Sequence, residues 1–243
     1  MLRTCTAWRG GNDCLACDGR ENSLFSGLPG SALESLHVDV HNVVVPAGAV
    51  LYEQGQPAEH LWVLRTGPVK LVASSWDGER RIVRVLKAGD IAGMEGLLAG
   101  SFSHTAVAVG EVRACRTPLA TVRQLCLDHA GFQWNLMQQW QAALHETEQW
   151  LIDATTTGAT ARMRMARLLL RLRDGDSNRI FIFSREDLGL MLGIAIETAS
   201  RIIASFVREH LLLRKYARGA NPSRYFLGDI PRLEQVATQG VRA

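Results

Sequence analysis

The chain has 243 residues, 47% of them hydrophobic and 21% charged, which is enough to bury a sizeable core and too apolar for extensive disorder. No run approaches the roughly 18 apolar residues of a membrane span. The first residues also lack the apolar stretch of a secretory signal, so a cytoplasmic location without membrane association is expected. The net charge of +3 hides an asymmetry: residues 1–157 carry 12 Lys+Arg against 16 Asp+Glu (−4), and residues 158–243 carry 15 against 8 (+7). This predicts two domains with different partners, the second facing a polyanion such as nucleic acid.

Residues 1–23 have no apolar period and hold three of the five cysteines, Cys5, Cys14 and Cys17, in CTAWRGGNDCLAC. Gly10, Gly11, Asn12 and Asp13 make this extension a loop. An odd number of cysteines in a chain this long, with no signal, argues against a disulfide framework and for metal or redox chemistry. Residues 24–36 form a short helical lead-in with a Pro-Gly break. From about Val38 to Pro118, short β-branched runs alternate with glycine-containing turns, as in HLWVLRTG, VKLVASSWDG and RRIVRVLKAGD. Strands at that spacing predict a sandwich or barrel, with WDGE as a hairpin turn, and the β-domain is read over 24–130.

From Leu119 the helical period takes over. Met137, Trp140, Leu144, Thr147, Leu151 and Ala154 alternate at spacings of three and four, an a/d seam within a helix read over 131–157. Leu136, Ala143 and Trp150 flank the seam at intervals of seven. So wide an apolar face calls for two surfaces, the helix's own domain and a second chain, which predicts a homodimer; the alternative is a monomeric core helix. TTTGATA over 155–161 reads as a hinge, and residues 158–243 as the basic domain. A helix follows at Arg162–Arg173, with Met165, Leu168, Leu169 and Leu172 on its apolar face.

FSREDLGLMLGIAIETASRIIASFVREHLLL then reads as two helices about a glycine turn. Ser184 with Asp187 three residues on is a helix N-cap with an acidic partner. Gly193 ends that helix, and a second begins near Ala195. In a helix-turn-helix the second helix enters the major groove of double-stranded DNA with its N-terminal residues on base edges. Here these are Glu197, Thr198, Ser200 and Arg201. Glu197, Ser200 and Arg201 share one face; Arg201 can fork onto guanine and Glu197 can accept from a cytosine amino group. The bland alternative is a solvated stripe with a Glu197–Arg201 pair. Arg208, Arg214, Lys215, Arg218 and Arg224 would add phosphate contacts, and LLRKYARGANPSRYFLGD reads as a wing.

On GQPAEHLWVLRTGPVKL, VLKAGDIAGMEGLLAG and SREDLGLMLGIAIETASRIIASF, the chain resembles the CRP/FNR family of bacterial transcription regulators over roughly Leu24 to Val236. The resemblance implies an α+β architecture: a double-stranded β-helix sensor domain like those that bind cyclic nucleotides, a long dimerisation helix and a C-terminal winged helix-turn-helix. The string Glu197–Thr198–Ala199–Ser200–Arg201 is similar to the recognition helix of the FNR branch, which implies a two-fold TTGAT-N4-ATCAA type of site. It also implies RNA polymerase as a partner when the regulator activates.

Cyclic-AMP-binding members use a Glu and an Arg-Ser pair around the phosphate. Glu95 stands at the first position, but His104–Thr105 stand at the second, so a cyclic nucleotide is not expected. The FNR branch holds a [4Fe–4S] cluster on three N-terminal cysteines and one distant cysteine at a β-domain edge. The resemblance carries this onto Cys5, Cys14, Cys17 and Cys115, here spaced C-x8-C-x2-C before Cys115. The implied function is an oxygen- or redox-responsive regulator. Open alternatives are a zinc site on the same thiols, a thiol switch, or a small-molecule effector in the β-domain. Cys126, between Leu125 and Leu127, reads as a buried structural thiol. No nucleophile–base motif, phosphate loop or HExxH string is present, so an enzyme is not expected.

Overall fold

The computed structural model describes residues 6–7, 24–26, 28–36, 39–155, 158–216 and 224–238. They form two units, one built mainly from residues up to Glu146 and the other mainly from Thr147 onward.

The first unit is β-rich. One sheet has the order β1 (Thr6–Ala7), β2 (His41–Val45), β9 (Val112–Pro118), β4 (His60–Thr66), β7 (Ile91–Ala92). The other has the order β3 (Val50–Tyr52), β8 (Thr105–Ala108), β5 (Val69–Ser74), β6 (Arg80–Leu86). The period-2 burial of β2 shows why these segments are strands, since Val43 and Val45 are buried and their neighbours are not. The inward set, which also includes Leu64, Val69, Ala106, Ala108, Val112 and Ala114, is the core of the β-domain. The WDGE turn forms as expected. Gly78 has φ +81, and Asp77 Oδ1 accepts from the Ser75 hydroxyl and the Glu79 amide.

The five-stranded sheet is covered on its other face too. Leu61, Val63 and Ile91 pack there against Leu24, Phe25, Leu28 and Leu33 of the lead-in, which includes α1 (Gly30–Ser35). The same cluster takes in Leu119, Val122 and Leu125 of α3 (Leu119–Asp128) and Phe132 and Leu136 of α4 (Ala130–Thr155). Asn135 anchors the lead-in by donating from Nδ2 to the Leu24 carbonyl at 2.8 Å. Between β7 and β8, the short α2 (Gly96–Ala99) carries Glu95 at its N-cap.

The second unit contains α5 (Ala161–Arg171), β10 (Arg179–Phe181), α6 (Arg185–Leu192), α7 (Ile196–Arg208), the hairpin β11 (Leu212–Tyr216) and β12 (Arg224–Gly228), and α8 (Ile230–Thr238). Thr160 caps α5, accepting from the Met163 amide at 3.3 Å. The expected inward face of α5 is buried: Met165, Leu168, Leu169 and Leu172 all lie in the core, with Ile203, Phe206, Phe226 and Leu233. Arg162 of α5 lies 4.6 Å over the Phe206 ring and donates to Ser205 and Glu209, which fastens α5 to α7. Packing divides the long helix at Glu146/Thr147 rather than after residue 157, because Trp150 and Asp153 pack on α5. No single helix among the described residues is long and apolar enough to cross a membrane.

Candidate DNA interface and sensor site

The helix-turn-helix is built by capping chemistry. The Ser184 hydroxyl accepts from the Asp187 amide at 2.9 Å and starts α6. Gly193, at φ +61, ends it in the left-handed conformation that glycine adopts without strain. Gly189 permits the tight return, since a Cβ there would lie 2.8 Å from the Ile194 carbonyl oxygen. Helices α6 and α7 meet at a bend of 109°. Ala199, Ile203 and Phe206 bury one face of α7, which leaves Glu197, Ser200 and Arg201 exposed and Thr198 half-buried. Arg201 Nη2 donates to Thr198 Oγ1 at 3.3 Å and makes no ion pair with Glu197.

Among the described residues no carboxylate pairs with Arg179, Arg208, Arg214 or Lys215. Arg214 lies over Phe226 at 5.9 Å and Arg179 over Tyr225 at 4.7 Å, so aromatic rings position both guanidinium groups. Arg208 and Lys215 are exposed. Arg218 and the side chain of Arg224 lie outside the described residues. Sequence reasoning missed Arg185, the first residue of α6. Burial, then the like charge of Arg214, holds its pKa below the usual guanidinium value. Its position directly after the Ser184 cap was the available signal.

The long helix presents its seam outward. Met137, Leu144 and Leu151 are 57%, 50% and 63% exposed, and Trp140 and Thr147 are exposed as well. The flanking Leu136 and Trp150 are buried, 8% and 9% exposed. The two sets thus have different surroundings: the flank is covered by this chain and the seam is not. Ala154's side chain lies outside the described residues.

Of the four thiols assigned to a cluster, Cys5, Cys14 and Cys17 lie outside the described residues. Cys115 is half-buried, and its Sγ donates to Asn42 Oδ1 at 3.3 Å. It sits on the central strand β9, opposite Asn42 on β2 and Val63 on β4, not at a sheet edge. Its side chain is on the outer face, against the cluster that includes the lead-in. The backbone of Thr6, the residue after Cys5, pairs with Val44. That places it two strand spacings, about 10 Å, from β9. Cys126 is also half-buried against the same cluster, and burial pushes its thiol pKa up.

At the position of the family's phosphate site, Glu95 is already engaged. Its Oε1 accepts from the Ser103 amide at 3.4 Å and stands 3.7 Å from His104 Nδ1. Burial alone would raise the Glu95 carboxyl, but His104 and backbone N–H groups outweigh it and hold the pKa below the usual carboxylate value. Thr105 Oγ1 accepts from the Gln54 amide at 3.0 Å.

Comparison with known proteins agrees with this architecture. The Cyclic nucleotide-binding domain family matches residues 42–129, and the Crp-like helix-turn-helix domain family matches residues 163–236. The chain is 27% identical over 221 residues to the transcriptional regulatory protein btr of Bordetella pertussis, covering 88% of each chain. It is 25% identical over 172 residues to the transcriptional activator protein Anr of Pseudomonas protegens, covering 68% of this chain and 70% of that one. The fold is similar to that of FixK2 from Bradyrhizobium japonicum, with a TM-score of 0.68 at 20% identity, covering 84% of this chain and 98% of that one. These relatives are regulators rather than enzymes. With a β-roll, a long helix and a winged helix-turn-helix in one chain, the protein belongs to the CRP/FNR family of DNA-binding transcription regulators.

Proposed function

We propose that this regulator works as a homodimer paired along α4, binds a two-fold symmetric site of TTGAT-N4-ATCAA type, and responds to oxygen or redox state through a [4Fe–4S] cluster. The exposed seam of Met137, Trp140, Leu144, Thr147 and Leu151 carries the dimer reading. An apolar stripe in water is costly, and a second copy presents a matching stripe. Pairing along α4 would set two α7 helices for half-sites about one DNA turn apart. Glu197, Ser200 and Arg201 would then face base edges, and the cations around them the phosphates. Contact with RNA polymerase belongs to the activating form of this reading.

Cys5, Cys14, Cys17 and Cys115 would hold the cluster, which when bound supplies an oxygen-labile link between the N-terminal extension and β9. The reading is supported by the pairing of Thr6, the residue after Cys5, with β2, the strand next to the one that carries Cys115. Four thiol donors also suit iron–sulfur chemistry. Anaerobically purified protein should be coloured, contain iron and acid-labile sulfide, and lose all three in Cys14→Ser or Cys115→Ser. Colourless protein without iron or sulfide refutes the cluster, and one tightly held zinc per chain would replace it.

A second reading, an effector sensor in the β-domain without a cluster, draws on the half-buried Glu95–His104 pair. An imidazole replaces the guanidinium fork there, so the ligand would not be a cyclic nucleotide. Anaerobic gene control that survives both cysteine substitutions would favour this reading.

A further inference from the structure

At one end of the five-stranded sheet, the inner face, opposite the Cys115 side chain, gathers nitrogen donors. Arg116 on β9 lies directly between His41 on β2 and Trp62 on β4. Directly opposed residues of antiparallel strands have Cβ atoms about 5 Å apart and point to the same face. His60 is two residues from Trp62 on that face, its ring 6.3 Å from the indole. The charges that His60 feels are those of Arg116, Glu59 and His41. The set is therefore one guanidinium, two imidazoles and an indole.

Their hydrogen bonding is incomplete. Arg116 Nε and Trp62 Nε1 are both buried, and neither has a hydrogen-bond partner. Among the described residues no carboxylate pairs with Arg116. Arginine and indole nitrogens only donate, and a buried donor without an acceptor is destabilising. Folding has thus left a site that an acceptor-rich group would complete. The guanidinium charge favours a negative one. The donors can be reached from solvent, because His41 is exposed and His60 and Arg116 are half-buried. Glu59 is the acidic neighbour, and its exposed side chain leaves it free to swing into water.

We propose that Arg116, His41, His60 and Trp62 form a binding site for a small oxyanion, a carboxylate or a phosphate, at the open end of the β-roll. The guanidinium fork takes two of its oxygens, Trp62 Nε1–H donates to a third acceptor position, and the imidazoles flank it. The site contains no cysteine and uses neither Glu95 nor His104, so it stands or falls independently of the redox and effector readings above.

The test uses the full-length chain labelled on tryptophan and histidine, with the Trp62 indole signal assigned by its loss in Trp62→Phe. Sodium phosphate or sodium succinate is titrated in at an ionic strength held constant with sodium chloride. The expected result is a saturable shift of the Trp62 indole and of the His41 and His60 imidazole signals. Arg116→Gln should raise the midpoint at least about tenfold, as for loss of a charged donor. The arm that saturates first separates a phosphate ligand from a carboxylate one. Should Arg116→Gln fail to fold, Arg116→Lys keeps the charge and loses the fork, and should bind more weakly in a folded protein. Shifts that stay linear in added salt, or a midpoint unchanged in the folded Arg116 variant, would overturn the site. Phosphate bound only in the DNA-reading unit, with these three signals unmoved, would overturn it equally.

Discussion

Arg171 of α5 donates from Nε to Oδ2 of Asp153, near the C-terminal end of α4, at 2.5 Å, and Arg167 stands 3.9 Å from the other carboxylate oxygen. An acidic residue there opposes the helix dipole, and α4 has no basic residue in its last turn. The cations come instead from α5, so the ion pair joins the end of the long helix to the first helix of the DNA-reading unit. Both partners are about three-quarters covered, which spares the pair much of the screening of a surface bridge. Asp153→Asn should lower the unfolding free energy of this unit by about 1–2 kcal/mol, read as a shift in denaturant midpoint at unchanged slope. An unchanged midpoint would mean that water replaces the pair without loss.

Leu144 is half exposed at the centre of the seam. A charge at this position touches nothing that holds the single chain together, but would sit at a two-fold interface once from each copy. Leu144→Glu should therefore leave thermal unfolding of the separate chain nearly unchanged and weaken association. The lost burial alone is about 1.5–3 kcal/mol per chain. Sedimentation at a series of concentrations should show folded monomer, with loss of binding to a two-half-site DNA. A variant that stays dimeric would move the interface off this stripe.

The elements easiest to read from the sequence were those whose burial is local and periodic. Met165, Leu168, Leu169 and Leu172 all lie in the core as their spacing predicts, and Ser184 and Gly193 punctuate the helix-turn-helix as expected. Less legible was whatever depends on contacts distant in sequence. The two residues of β1 are a strand only because β2 offers them an edge. Glu95 meets His104 across a glycine turn, and Arg185 meets Arg214 between a helix start and a wing strand. Cys115 was expected at an edge, but β2 and β4 enclose its strand on both sides, and which strands neighbour β9 is a matter of topology rather than local pattern. The helix α8, in IPRLEQVAT, is short and has only Leu233 and Ala237 buried beyond its first residue, too few positions for a period to stand out.

Arg201 is exposed near the start of α7 and tethered only to Thr198. Its removal should therefore cost little stability and much recognition. Arg201→Ala is expected to weaken binding to a cognate site by about 1–3 kcal/mol and to flatten the preference at one base pair. Arg208→Ala should instead weaken all sequences alike and lower the salt slope by about 1. Fluorescence anisotropy on matched and single-substituted duplexes at two salt concentrations separates the two. If Arg201→Ala behaved like Arg208→Ala, base reading would lie elsewhere on α7.

Glu95 makes the stability of the β-domain depend on pH in a definite direction. Burial raises its pKa, while His104 and the N–H groups around it lower it more, so the folded value lies below the ordinary one of 4.5. A carboxyl depressed in the folded state binds protons less readily there than in the unfolded chain. Its stabilisation is complete above the unfolded pKa and disappears as the pH falls through the folded one. Thermal unfolding of the β-domain should therefore drop as the pH is taken downward from about 4.5. Glu95→Gln, which cannot ionise, should flatten that acid limb. His104→Ala should flatten it too, because loss of the imidazole lets the folded pKa rise toward the unfolded one. An acid limb that is the same in all three proteins would show that the Glu95–His104 contact contributes nothing to the fold's pH response.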